Sequence, residues 1–248
     1  MANVKGRCVV CGAGPTVKSH LFPRALMLAM RGDARSLVQG DRFEDGIRLP
    51  QNGDWDDLIL CDAHEKQVGL GDDYAVKLLK RAPEAPIIMN GRAVKVNNPH
   101  PNLLLHFIYG TVWRHVVSGA RRGEPLKLGP YRDELQARLM NSGPYDFQAI
   151  VARSGMMLRE LGPINMALNP YRVKFMGLTA WRFVLHEFEF YLLTDRRRLP
   201  AKWKGYVAND NRDLIAANEH EVDIRGMPSL RPIIDRMAGV GINSTSAS

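Results

Sequence analysis

Four residues of this chain have the types and spacing to hold a metal ion. Cys8 and Cys11 form a Cys-x-x-Cys pair, and Cys61 and His64 repeat the spacing as Cys-x-x-His. Zinc takes four soft or borderline ligands in a tetrahedron, and two such half-sites supply them from separate segments. The long stretch between the halves is no obstacle, because loop closure grows costlier only slowly with length. The competing reading makes Cys8 and Cys61 buried apolar thiols and His64 a helix-surface histidine. A second half-site at the end of an apolar strand weakens it. A structural zinc would stabilise a segment with little apolar core of its own.

Other chemistry-bearing residues form looser groups. Arg121-Arg122 is one basic cluster, and Arg196-Arg197-Arg198 with Lys202 and Lys204 is another. Trp203 and Tyr206 interleave with the second, and aromatics among cations can stack on unpaired bases. The alternative is a solvated charge run. His106 and His115 lie on different sides of one helix and read as core or surface histidines. The usual phosphate-loop, dinucleotide, nucleophile-elbow and zinc-protease motifs are absent.

The elements that must position the cysteines can be read around them. VKGRCVVCGAG reads as a strand, a knuckle and the start of a second strand, with Gly12 and Gly14 free to take positive φ. SHLFPRALMLAMRG begins extended and becomes a short helix, with Pro23 suited to its first turn. Residues 31–57 read as a polar loop with a short ribbon. DLILC is a strand ending on Cys61 and running into AHEKQVG. A helix follows through DDYAVKLLKRAP, capped by Asp72 or Asp73 and ended by Pro83. Residues 84–101 read as a linker or surface excursion. A long helix then carries Leu104, Ile108, Val112 and Val116 on one stripe. A shorter helix follows at YRDELQARLMNSG, then a strand at FQAIVARS. From Tyr171 to Asp195 the chain is rich in strand formers. Alternation through Trp181, Phe183 and Leu185 changes phase to Phe188, Phe190 and Leu192, which predicts a bulge or sheet corner at His186-Glu187. One more helix is expected near 229–238.

Composition bounds the rest. The chain has 248 residues, 45% hydrophobic and 24% charged, as in an ordinary globular protein. Thirty-four basic against 26 acidic side chains give a net charge of +8. Such an excess favours polyanionic partners. No stretch is long and apolar enough to span a bilayer, and the N-terminus lacks a secretory apolar region. Three cysteines, two of them closely spaced, argue against a disulfide framework and suit reduced cytoplasm.

The order CVVCG, then SHLFPRAL, then a strand ending LCDAHEKQVGLGDDYA, resembles the HNH-like zinc-finger proteins of bacteria and their phages. The resemblance covers about residues 7–75 and is closest at Ser19-His20-Leu21-Phe22-Pro23-Arg24. It departs from the family at His64, where a fourth cysteine is usual, and at Glu65, where active nucleases of this type carry a metal-binding histidine. No middle asparagine of the signature can be placed. The resemblance implies that His20 is a general base. It implies that Glu65 holds a Mg²⁺ or Mn²⁺ ion. Lys18 and Arg24, flanking His20, would hold phosphates.

The expected fold is α+β. A zinc-bound ββα, treble-clef finger at residues 1–80 precedes a mixed helical and antiparallel β region at 81–240 and a disordered tail at 241–248. The expected function is a metal-dependent endonuclease acting on DNA. The alternative is a non-catalytic zinc finger that binds nucleic acid or a protein, as an accessory or structural factor of a phage or bacterium. Oligomeric state stays open.

Overall fold

One glycine shapes the first turn. Gly12 sits at φ +71°, a conformation side chains with a Cβ avoid, and its N–H reaches the Cys8 carbonyl at 2.8 Å. The Cys8 N–H bonds the Ala13 carbonyl at 2.8 Å and closes the knuckle. Only Val9 reaches outward, to the Ile59 carbonyl at 2.9 Å. Val4 and Lys5 of the opening strand expected before the knuckle lie outside the described residues, and Gly6 and Arg7 beside them belong to no strand.

The computed structural model describes residues 6–32, 37–40, 47–48, 50–81, 87–88, 93–97, 99–122, 126–141, 144–153, 156–158, 162–163, 166–186, 188–209, 214–217 and 222–223. The helix expected near 229–238, the tail and Pro83 lie outside them. The side chains of Arg121, Arg122, Lys202 and Lys204 also lie outside what is described.

After the knuckle come β1 (Thr16–His20) and α1 (Arg24–Arg31). Leu26, Met27 and Met30 put one buried stripe on α1. Pro23 immediately precedes it, where its missing N–H costs nothing. β2 (Val38–Gly40) and β3 (Ile47–Arg48) form the short ribbon expected within 31–57. β4 (Trp55–Cys61) returns antiparallel to β1, and α2 (Asp62–Val68) starts at once from its last residue. A 3-10 turn at Gly69–Gly71 leads into α3 (Asp72–Arg81).

β5 (Ile87–Ile88) and β6 (Ala93–Val96) lie in the stretch expected to be a linker, so part of it is paired strand. α4 (Pro101–Arg122) is the long helix, and it runs through Gly119. Its expected stripe, Leu104, Ile108, Val112 and Val116, is buried, and so are Phe107, Tyr109 and Trp113 on other sides. α4 is thus enclosed rather than amphipathic. α5 (Tyr131–Asn141) follows and buries Leu135 and Leu139.

The remaining strands are β7 (Ala149–Arg153), β8 (Met156–Leu158), β9 (Gly162–Pro163), β10 (Met166–Phe175), β11 (Leu178–Leu185), β12 (Phe188–Leu193), β13 (Leu214–Ala217) and β14 (Val222–Asp223). A six-stranded sheet has the order β3-β2-β10-β11-β12-β7. It is antiparallel except where β2 runs parallel to β10. The bulge expected at His186-Glu187 is corrected to a hairpin. Leu185 pairs with Phe188, and His186 takes φ +58°. The phase of the alternation changes there because the chain reverses. A second tight hairpin at Met176-Gly177, both at positive φ, joins β10 to β11.

The sheet packs on α4 through aromatic rings. Phe183 and Phe190 stack at 4.7 Å between centroids, and Phe107 of α4 meets them at 6.0 and 5.6 Å. One buried cluster includes Cys8, Leu21, Phe22, Ile59 and Val68 together with Phe107, Trp113 and Phe183. The hairpin and its helices therefore share a core with the long helix and sheet. Gly71 is the point of closest approach: a Cβ there would lie 2.4 Å from the Leu103 carbonyl oxygen and the Phe107 nitrogen, both backbone atoms of α4. Gly71→Ala is expected to cost about 3 kcal/mol or more, because neither backbone can yield. A urea titration checks it; a midpoint unchanged from the parent protein would contradict this packing.

Candidate metal centre and the hairpin beside it

The chain brings Cys8, Cys11, Cys61 and His64 together, with their ligand atoms all within 4.8 Å of one another. Cys61 Sγ lies 3.2 Å from His64 Nδ1 and 3.9 Å from Cys11 Sγ, and Cys8 Sγ lies 3.5 Å from His64 Nδ1. A tetrahedron with metal–sulfur bonds of about 2.3 Å and metal–nitrogen bonds of about 2.0 Å has edges near 3.6–3.8 Å. The four atoms are spaced to hold one ion. Each half-site is placed by local structure: the knuckle holds Cys8 and Cys11, while the strand-to-helix junction puts Cys61 last in β4 and His64 in the first turn of α2. Burial pushes the Cys8 thiol up, but backbone N–H groups of Cys61, Cys11 and Val10 and the Cys11 thiol outweigh it and bring it down to about 6. A thiol so biased is a ready anionic ligand.

The hairpin beside this cluster has two chemically different faces. Ser19 pairs with Asp56 and His20 with Trp55 across the β1–β4 ladder. Successive strand residues point to opposite sides, and directly paired residues point to the same side. Ser19 and Asp56 are buried. Ser19 Oγ donates to Glu65 Oε2 at 2.5 Å, and Ser118 Oγ of α4 donates to Asp56 Oδ2 at 2.7 Å. The other face carries His20, Trp55 and the exposed Lys18, whose Nζ sits 4.2 Å from the Trp55 ring centroid. Glu65 thus reaches the residue before His20, from the buried side of the strand. Among the described interactions its carboxylate has no direct contact with the imidazole.

A buried cation ties this end of β1 to the helices. Arg114, mid-way along α4, is 0% exposed. It donates to the His20 carbonyl at 3.3 Å and to Asp72 Oδ2 at 2.9 Å. Burial alone would lower the Arg114 pKa; the Asp72 and Glu65 carboxylates outweigh it and keep the guanidinium charged. Burial raises the Asp72 carboxyl against the pull of Arg114, and Glu65 and Asp73 add to the rise. Among the described residues Asp72 Oδ1, Arg114 Nε and His20 Nε2 are buried without a hydrogen-bond partner. The His20 pKa is lowered, first by burial and then by the charges of Lys18, Arg24 and Arg114.

Arg24 is exposed at the start of α1, near enough to act on His20. The distal basic run differs. Arg197 is engaged with Asp195 at 2.7 Å and Arg196 with Glu134 at 3.4 Å, while Arg198 is exposed. Trp203 is buried beside Phe175, so its expected role as a stacking ring is corrected: it packs a second core cluster. Chemistry in the sequence does not single out Arg114 or Trp55, and it reads Asp72 as a helix cap rather than as the partner of a buried arginine. The lone arginine in the apolar run of α4 was a readable signal, because a charge is buried only with partners. No helix among the described residues is long and apolar enough to cross a membrane.

Comparison with known proteins adds no relative: no family model matches the chain, and neither a curated protein nor a solved structure matches it. The site therefore stands on its own residues. Cys61→Ser is expected to abolish stoichiometric metal binding and to loosen the β1–β4 hairpin, since a two-stranded ribbon is marginal alone. Elemental analysis and amide hydrogen exchange at Val17 and Leu60 measure the two effects. Full protection without metal would contradict the role given to the ion.

Proposed function

We propose that the Cys3His cluster holds a structural zinc ion, and that the hairpin and α2 around it form an HNH-like centre that hydrolyses phosphodiester bonds of DNA. Three thiolates and an imidazole in a closed tetrahedral set suit zinc over harder ions. A knuckle, a β1–β4 hairpin and a helix that begins on the third ligand give the order of a treble-clef finger. The observation that carries the catalytic part is the Ser19–Glu65 contact, which sets a helix carboxylate against the residue preceding His20.

In this reading the His20 imidazole accepts a proton from a water that attacks phosphorus. The P–O3′ bond breaks, and the leaving 3′ oxygen is protonated from solvent. Lys18 and Arg24, which flank His20, would hold the phosphate beside the imidazole. Glu65, with Ser19 beside it, would hold a Mg²⁺ or Mn²⁺ ion through its carboxylate, an oxygen donor that suits a hard cation keeping several waters. Such an ion, when bound, supplies charge stabilisation of the pentavalent phosphate. The low pKa of His20 keeps the imidazole neutral, as a base must be.

A second reading, a nucleic-acid-binding finger without catalysis, is favoured by one observation. Ser19 satisfies Glu65 and Arg114 neutralises Asp72, so the inner carboxylates are already engaged.

Plasmid nicking with Mg²⁺ or Mn²⁺ separates the two. His20→Ala is expected to reduce nicking at least about a hundredfold while metal content stays at one equivalent. Salt-sensitive DNA binding without nicking by the parent protein would leave only the second reading. The pH profile is a further check. A base is active when deprotonated, so the rate rises with pH through the His20 pKa, and the lowered value puts that midpoint below 6.5. Lys18→Gln with Arg24→Gln removes two of the depressing charges and is expected to move the midpoint up. A midpoint that stays in place would exclude His20 as the titrating base.

A further inference from the structure

The outer face of the hairpin carries a large ring that the fold does not use. Trp55 is 45% exposed, whereas Trp113, Trp181 and Trp203, the other tryptophans, are 0%, 2% and 7% exposed. It is the first residue of β4, directly across from His20. The Lys18 ammonium at 4.2 Å from its centroid covers one side of the ring. Among the described residues no other ring or cation lies against it, so its exposure falls on the rest of the indole. A cation–π contact of this kind holds an exposed ring upright at little energetic cost.

The surroundings select what fills that surface. Lys18 lies over the ring, His20 pairs directly across from it, Arg24 acts on His20 from the start of α1, and the chain carries a net charge of +8. A nucleobase offers a flat π face within reach of a phosphate on either side, which matches a ring in basic surroundings. Asp57 lies two residues along the same face of β4 and is exposed.

We propose that Trp55 is a stacking platform for one unpaired base, with Lys18 and Arg24 on the flanking phosphates, so that the hairpin takes single-stranded or locally unpaired nucleic acid in preference to continuous duplex. In a duplex each base face is already covered by its neighbours, and only edges are reachable. A ring standing on a strand can engage a base only where the stack is open or the base is turned out. This inference rests on the nucleic-acid part of the proposed function and not on cleavage.

The test uses the full-length protein without added Mg²⁺ or Mn²⁺. Its tryptophan emission is titrated with an oligothymidylate of about twelve nucleotides, within the usual span of single-strand sites, and with a blunt hairpin duplex. The single strand is expected to quench the exposed-tryptophan emission saturably and to bind at least about tenfold more tightly than the duplex. Trp55→Ala is expected to weaken single-strand binding by roughly 5- to 150-fold, read by anisotropy of a labelled oligomer, with metal content unchanged. Trp55→Phe keeps a π face and is expected to retain most of the affinity. Binding without quenching, unchanged affinity in Trp55→Ala, or equal affinity for the duplex would overturn the proposal. Quenching by a protein that nicks no DNA removes the catalytic reading and leaves this one intact. Nicking that accompanies unchanged affinity in Trp55→Ala does the reverse.

Discussion

Three sulfur atoms and one ring nitrogen converge here from a knuckle and a strand-to-helix junction. As thiolates the sulfurs repel one another at these distances, and a cation between them turns that repulsion into attraction. The β1–β4 ribbon beside them has two strands among the described residues, too few to be stable by pairing alone. Its inner face carries Ser19 and Asp56 where a self-sufficient ribbon would carry apolar side chains. The polar inner face is tolerable because the cluster fixes one end of the ribbon while α4 supplies partners to the other. Ser118 meets Asp56, and Arg114 meets the His20 carbonyl.

Arg114 shows how far the larger part of the chain is committed to this small unit. A buried guanidinium loses its hydration and must recover it from carboxylates and carbonyls. It does so through Asp72 of α3 and the last residue of β1. The helix that carries it is held against the six-stranded sheet by Phe107, Phe183 and Phe190. A rigid aromatic layer thus sets the position of a charge that in turn sets the end of the strand bearing His20. Gly71 lets the turn between α2 and α3 come close enough for the arrangement to close.

The ligand set was legible because metal ligation demands residue types that few other roles demand at that spacing. Cys8, Cys11, Cys61 and His64 come together as their sequence implies. The strand–helix passages around Pro23 and Cys61 were legible for similar local reasons. The two faces of β1 were not. Which side of the five-residue β1 is covered depends on α4, which begins at Pro101 far along the chain, and Ser19 and His20 are both polar. The His186 hairpin was misread as a bulge because a reversal and a bulge both shift the phase of alternation, and no glycine marks the turn. The opposite held for Trp203. Its basic neighbours pointed to a surface, yet Phe175 and Tyr206 enclose it. Aromatic residues near charges are ambiguous in sequence, since burial is decided by partners far along the chain.

The separation of faces also explains how one group of charges can serve two ends. Lys18 and Arg24 lower the basicity of His20, and the same charges attract phosphate. In the proposed reaction, a phosphate bound between them would cancel part of their field and make the imidazole a better proton acceptor. Arg114 does not share in that exchange, because it is buried and already paired with Asp72. The outer cations are therefore the adjustable component and the buried one the fixed component. Salt screens the first strongly and the second weakly. Under the proposed function, such a centre would hold its geometry across ionic strength while its grip on a polyanion changed, because buried charge defines its structure and surface charge would define its binding.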